Sequence, residues 1–291
     1  MPDMNVVRPE LRVPVQETSR PTSVLNTRLR HDAMQPGMVV LALPHDVAPA
    51  VEIAKLLGVP SDVFLVRRLG APQQRESSVA ALLRELEISR PDLLVLGAYK
   101  QSEVGKCLSG AVTEQLFRKS QWPVLVFGPQ SPENPTPQPG VRNVLYATDQ
   151  SSASVHALHC AYDMAREHNA KLIVLQVEAK PEGVLYDDAV IVAFEALQNW
   201  LDGHLLAHGG EAFGRAQCLV KFGKPEQGIP EAANELHSDV VVMGARGLSA
   251  LSAGRNNFIG SIAYEVACSS ERPVLIVPQT AKSISNGRQH R

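Results

Sequence analysis

Apolar residues in this chain arrive in short unbroken runs, and between the runs they recur at the spacing of one helix face. VVLALP (39–44), DVFLVRRL (62–69), DLLVLG (92–97) and PVLVFG (123–128) read as buried strands in the first half. The stretch with Val47, Ala50, Val51, Ala54 and Leu57 on one face predicts a helix, as do 78–88 and 103–119. The second half repeats the alternation at greater length. NVLYATD (143–149), KLIVLQVEA (171–179), AQCLVKFG (216–223), DVVVMG (239–244) and PVLIVP (273–278) predict five strands. Helices are expected at 153–169, 186–208, 225–237 and 260–270, with Pro225 suited to a first turn and Asp187 and Asp188 favourable at a helix start. Near-continuous Val/Ile/Leu strands alternating with helices imply α/β architecture: doubly wound parallel sheets with both faces covered.

The pattern fails in three places, which divide the chain. Residues 1–35 show little periodicity and form a flexible N-terminal arm. Residues 129–140, PQSPENPTPQPG, form a proline-rich linker without a core of its own. Residues 280–291 form a polar tail. Two α/β domains remain, at 36–128 and 141–279. The first has no room between 69 and 78 for the helix and strand that 186–223 supply in the second, so four strands are expected against five.

The two halves also match each other. DLLVLGAYKQSEVGKCLSGAVTEQLFRKSQWPVLVF resembles DVVVMGARGLSALSAGRNNFIGSIAYEVACSSERPVLIV. A strand ends at Gly97 or Gly244, a glycine opens a helix at Gly110 or Gly260, and a proline starts the last strand 13 residues later, at Pro123 or Pro273. Duplication of a βαβ unit explains this. The last strands, PVLVFG and PVLIVP, would be apolar sheet edges. Such edges tend to be paired, so they are expected to face each other within the chain or to pair with another copy.

Charge narrows the function. The net charge of −2 supplies no basic field for nucleic acid or an anionic membrane. No apolar run approaches the ~20 residues of a membrane span, and the first 20 residues lack the apolar core of a signal peptide. Cys107, Cys160, Cys218 and Cys268 form no C-x-x-C pair, which fits reduced thiols in the cytoplasm. The arginines of the arm lack interleaved aromatics, so a solvated tail is the reading preferred to nucleic-acid contact.

In open α/β sheets, ligands sit beyond the carboxyl ends of the strands, where the strand order reverses. Asp149 ends the first strand of the second domain and Gly244 the fourth. Gly244-Ala-Arg-Gly247 lets the backbone turn close to a ligand. Gly260-Ser261 then opens a helix whose free N–H groups favour an anion. Together these make a main-chain phosphate cradle, with Arg246 adding charge and Asn256 and Asn257 adding donors. The alternative is plain turn glycines and an ordinary helix cap.

Residues 141–278 resemble the universal stress protein family throughout, in V-R-N-V-L-Y-A-T-D-Q-S-S-A-S, L-I-V-L-Q-V, G-K-P-E-Q-G-I-P-E-A-A and D-V-V-V-M-G-A-R-G-L-S-A-L. The resemblance implies the adenine nucleotide α-hydrolase-like fold. The family's ATP-binding branch carries G-x2-G-x9-G-[ST]. Here Gly244, Gly247, Gly260 and Ser261 match it, with twelve residues in the second gap. It also maps the family's acidic residue onto Asp149 and its adenine-contacting backbone position onto Val177. The first half keeps the nine-residue gap, but has Lys100 and Ala111 where the motif has glycine and serine, so it reads as structural. Residues 36–76 carry a second resemblance, to a fragment of bacterial phosphoribosyltransferase-like domains. His45-Asp46 replaces that family's glycine-rich turn, and no strand runs into paired acidic residues, so transferase activity is not implied.

No G-x4-G-K-[ST], G-x-G-x-x-G or H-E-x-x-H motif occurs, and no nucleophile–base set stands out. His156 with His159, and His204 with His208, read as solvated helix faces rather than metal ligands. The expectation is a non-catalytic stress-response module binding ATP or a related adenine nucleotide, with Mg²⁺, in the second domain, as sensor or regulator. Slow ATP hydrolysis stays open. The alternative is a nucleotide-free, dimerising interaction protein of the same fold.

Overall fold

The structure is a computed structural model, and it describes residues 39–43, 64–68, 84, 87, 93–97, 122–127, 141–207, 216–246 and 260–279. Nine strands are seen: β1 (Val39–Leu43), β2 (Phe64–Arg68), β3 (Leu93–Gly97), β4 (Val124–Phe127), β5 (Asn143–Thr148), β6 (Lys171–Glu178), β7 (Ala216–Phe222), β8 (Val240–Gly244) and β9 (Val274–Val277). The helices described over their length are α1 (Val155–Glu167), α2 (Tyr186–Ala207), α3 (Pro225–Glu235) and α4 (Ser261–Ser269). The arm, the linker, the tail and the helix at 103–119 lie outside the described residues; of the helix at 78–88, Arg84 and Glu87 are seen, helical and exposed.

All nine strands join one sheet in the order β2-β1-β3-β4-β9-β8-β5-β6-β7. Every neighbouring pair is parallel except β4 with β9, which run antiparallel with Leu125 opposite Leu275. The order β2-β1-β3-β4 repeats β6-β5-β8-β9, and among the described residues β7 has no counterpart in the first half.

Alternation along the strands sorts side chains to two faces. Tyr146, Val174 and Val242 pack with Leu158 and Ala161 of α1 and Leu197 and Leu201 of α2. Leu145, Leu175 and Met243 pack on the other face with Ala232 of α3 and Ala263 and Val266 of α4. Both clusters cross the β4–β9 seam: the first takes in Leu93, Val95 and Leu125, the second Leu94, Leu96 and Val126. Burying each such side chain is worth about 1.5–3 kcal/mol, so the seam lies inside a shared core.

The starts of β5 and β8 are fixed by a carboxylate. Asp239 Oδ2 accepts from the N–H groups of Arg142 at 2.7 Å and Asn143 at 2.8 Å. The Asp239 N–H in turn donates to the Asn143 carbonyl at 2.9 Å. This clamp sets β5 level with β8, Ala147 beside Met243, and so brings their carboxyl ends to the same height.

Candidate functional site

The strand order reverses at β5, whose neighbours are β6 on one side and β8 on the other. The chain passes from β5 outward to β6 and β7, then returns to β8, so the carboxyl ends of β5 and β8 are the position at which open α/β sheets form a ligand crevice.

Asp149 follows β5 directly, partly buried, and its Oδ1 accepts the Ser151 N–H at 3.1 Å. The pleat that puts Leu145 and Ala147 on the α4 face puts position 149 on that face too. Beyond Asp149 the loop turns back toward β8. A Cβ on Gly244 would lie 3.2 Å from both the Ser154 Cα and the Arg246 carbonyl oxygen, so glycine permits backbone-to-backbone contact between the end of β8 and the start of α1. Arg246 stands two residues past β8, partly buried. Gly247, Asn256 and Asn257 lie outside the described residues, as do Lys100, Gly110 and Ala111.

Gly260 is the N-cap of α4 rather than its first residue, with φ −76° and ψ 166°, an extended conformation open to any residue. Its N–H is engaged by the Ala245 carbonyl at 2.7 Å, which ties the helix start to the end of β8. Among the described residues no side chain caps α4, and the N–H groups of its first turn, beginning at Ser261, lack a helical partner. A Cβ on Gly260 would meet only the Ala245 carbonyl oxygen, at 3.6 Å.

Val177 is buried, and its side chain packs on α3, with Cγ1 3.0 Å from where a Cβ on Gly228 would sit. Its main chain is placed differently. The β5–β6 ladder ends at Thr148 beside Gln176, while β6 pairs with β7 through Val177 and Glu178. The Lys171 N–H donates to the Arg142 carbonyl, so by strand alternation the Val177 N–H belongs to the same ladder, which leaves the Val177 carbonyl on the β5 side past its last rung.

Hydroxyls and amides wire the Asp149 loop together. Tyr146 donates to the Ser154 carbonyl at 2.9 Å, and the Ser154 hydroxyl donates to the Ser151 carbonyl at 2.7 Å. Thr148 Oγ1 lies 3.1 Å from Ser154 Oγ and accepts the Gln150 N–H at 2.9 Å. Gln150 Nε2 donates to Gln176 Oε1 at 2.6 Å, and Gln176 Nε2 to Glu178 Oε2 at 2.9 Å. The Ser151 hydroxyl is buried with no partner among the described residues. The sequence reading missed Gln150, Ser151 and Gln176; the available signal was a glutamine set inside the apolar run of β6.

Burial pushes the Tyr146 phenol well above its usual range. Burial also pushes the thiols of Cys160 and Cys218 up to about 12, with nearby Asp163 and Glu167 adding to the effect at Cys160. Thiols held so far from the thiolate form are poor nucleophiles at neutral pH. The histidines depart from the expected solvated faces. His204 is half-buried, its ring 4.6 Å from that of Trp200 and its Nδ1 2.7 Å from the Trp200 carbonyl oxygen, and His159 has a buried Nε2. Helix faces with aromatic neighbours draw such rings inward. His156 is half-buried, and His208 lies outside the described residues. Among the described residues no helix is long and apolar enough to cross a membrane.

Comparison with known proteins bears on this domain. The universal stress protein family model matches residues 140–278. Universal stress protein Sll1654 of Synechocystis sp. is 26% identical over 138 residues, 47% of this chain and 85% of the relative. A Thermus aquaticus protein, the universal stress protein in the QAH/OAS sulfhydrylase 3' region, is 29% identical over 140 residues, 47% of this chain and 98% of the relative. A solved structure from Pseudomonas aeruginosa UCBPP-PA14, described as a candidate universal stress protein, aligns over 84% of this chain and 93% of its own, with TM-score 0.52 and 19% identity. That likeness is one of fold, and it extends over both halves. Residues 140–278 of this chain are a domain of the universal stress protein family, with that family's α/β fold.

Proposed function

We propose that the second domain binds an adenine nucleotide, ATP, in the crevice at the carboxyl ends of β5 and β8, and that the chain acts as a cytoplasmic stress-response sensor or regulator. One arrangement supports the reading: the Asp149 carboxylate, the glycine contact at Gly244 and the start of α4 at Ser261 lie at the carboxyl ends of β5 and β8, where the strand order reverses. The α4 N-terminus suits phosphate oxygens, which would accept from its free N–H groups. Arg246 would line the same end. The Val177 carbonyl, past the end of the β5–β6 ladder, would offer an acceptor to the edge of a base.

Mg²⁺ would enter on the phosphates. Among the described residues no three His, Cys, Asp or Glu side chains gather to hold an ion, so Asp149 and water would complete a coordination shell begun by the nucleotide. We read the domain as a binding module rather than a catalyst, because binding needs only the main chain and one carboxylate. The first half we read as a reduced copy that serves as structural support.

A specific feature favours the second reading, a nucleotide-free interaction protein. The exposed large apolar side chains among the described residues fall in one stretch at the start of α2, including Leu185 at 74% and Val192 at 66% exposure. Purification followed by denaturation and mass spectrometry of the released small molecules separates the two. ATP or ADP in about one copy per chain is the expected result. A chain that releases no nucleotide, takes up none when dialysed against millimolar Mg-ATP, and self-associates would replace the first reading with the second.

A further inference from the structure

Gln150 has φ +58°, in the left-handed region that residues with a Cβ seldom enter. The other non-glycine residues described with positive φ are Asn169 and His237, which follow the ends of α1 and α3, where such a conformation is an ordinary helix terminator. Gln150 follows no helix. It sits between Asp149 and Ser151, at the point where the chain leaves β5 and turns back toward Gly244.

Two contacts hold it there: its N–H on Thr148 Oγ1 at 2.9 Å and its side-chain amide on Gln176 Oε1 at 2.6 Å. The second contact is directional. Gln176 is 8% exposed, on a strand otherwise apolar at that depth, and its amide group is committed to Glu178 Oε2 at 2.9 Å. A carboxylate can only accept, so Gln176 must present its NH₂ to Glu178 and its oxygen to Gln150. Glu178 thus sets the orientation of Gln176, and Gln176 sets that of Gln150.

We propose that Gln176, oriented by Glu178, is a positioning residue for the nucleotide site: it holds Gln150 left-handed and thereby fixes where Asp149 presents its carboxylate. This rests on the nucleotide reading above. Gln176 faces the α1 and α2 side with Thr148, opposite the face taken by Val177, so its influence on the ligand passes through the loop and not through contact.

The test uses the full chain with Gln176→Leu, Gln150→Gly and the double variant, titrated calorimetrically with Mg-ATP. Should the leucine variant lose its folded far-UV spectrum, the unbranched Gln176→Met replaces it. Gln176→Leu should weaken ATP binding about five- to thirtyfold, the factor expected when a left-handed non-glycine residue loses its restraint. Glycine adopts positive φ without penalty, so Gln150→Gly should restore the affinity of the Gln176→Leu chain to within about threefold of wild type. A residue that touched the ligand directly, or served only packing, would not be rescued in this way. Melting provides a readout without nucleotide: Gln150→Gly should raise Tm more in the Gln176→Leu chain than in wild type, where it also removes a hydrogen bond. If wild type binds ATP and Gln176→Leu binds it equally, or glycine fails to rescue, the positioning role is overturned and the nucleotide site stands. If wild type gives no heat, the nucleotide reading falls, and this inference with it.

Discussion

Two serines three positions apart have opposite relations to their surroundings. The Ser154 hydroxyl donates to the Ser151 carbonyl and meets Thr148, and its own carbonyl accepts from Tyr146, so it joins strand, loop and helix start. The Ser151 hydroxyl is equally buried and has no partner among the described residues. Removing a partner from a satisfied buried network leaves other groups unpaired, at about 1–3 kcal/mol, whereas deleting an unpaired buried hydroxyl removes a desolvation cost. Ser154→Ala should therefore lower Tm by several degrees, and Ser151→Ala should leave it unchanged or raise it, as read by differential scanning calorimetry. A reversed order would mean that the loop is wired differently. The same contrast separates the two site glycines. A Cβ at Gly244 strikes backbone on two sides, and one at Gly260 has ordinary contact with a single carbonyl oxygen, so only Gly260 offers a substitution that spares the fold.

Elements in the second half were legible because their periodicities are undiluted. β6 at Lys171–Glu178 and α2 at Tyr186–Ala207 end within one residue of where the pattern placed them, and the other ends differ by up to two residues, where cap and helix or strand and loop are separated by hydrogen bonding. Asp149 and Gly260 shifted in that way, from the end of a strand and the start of a helix to positions just outside both. Illegible were contacts that depend on distant partners. The Gln150–Gln176 bond spans 26 residues and the Asp239 clamp on Arg142 spans 97, and no local spacing announces either. The clamp makes its own prediction. Asp239→Ala leaves two strand-starting N–H groups without their acceptor, one of them part-buried, at about 1.5–3 kcal/mol for that bond and less for the exposed one. Thermal unfolding should show a Tm loss of several degrees. An unchanged Tm would mean that β5 and β8 are levelled by packing alone.

Across the whole molecule the β4–β9 pairing turns two apolar strand edges into the middle of a nine-stranded sheet, which manages the edge hazard without a second chain. The reversal of strand order lies two strands from that seam. The crevice is proposed to hold an adenine nucleotide against the start of α4. Calorimetric titration of the full chain and its Gly260→Val variant with Mg-ATP probes that contact. The wild-type chain should bind one ATP, and the variant should bind 10²–10⁴-fold more weakly, the loss of about two charge-assisted hydrogen bonds, with its Tm little changed. Equal affinity in the two proteins, or no heat from the wild-type chain, would contradict the claim.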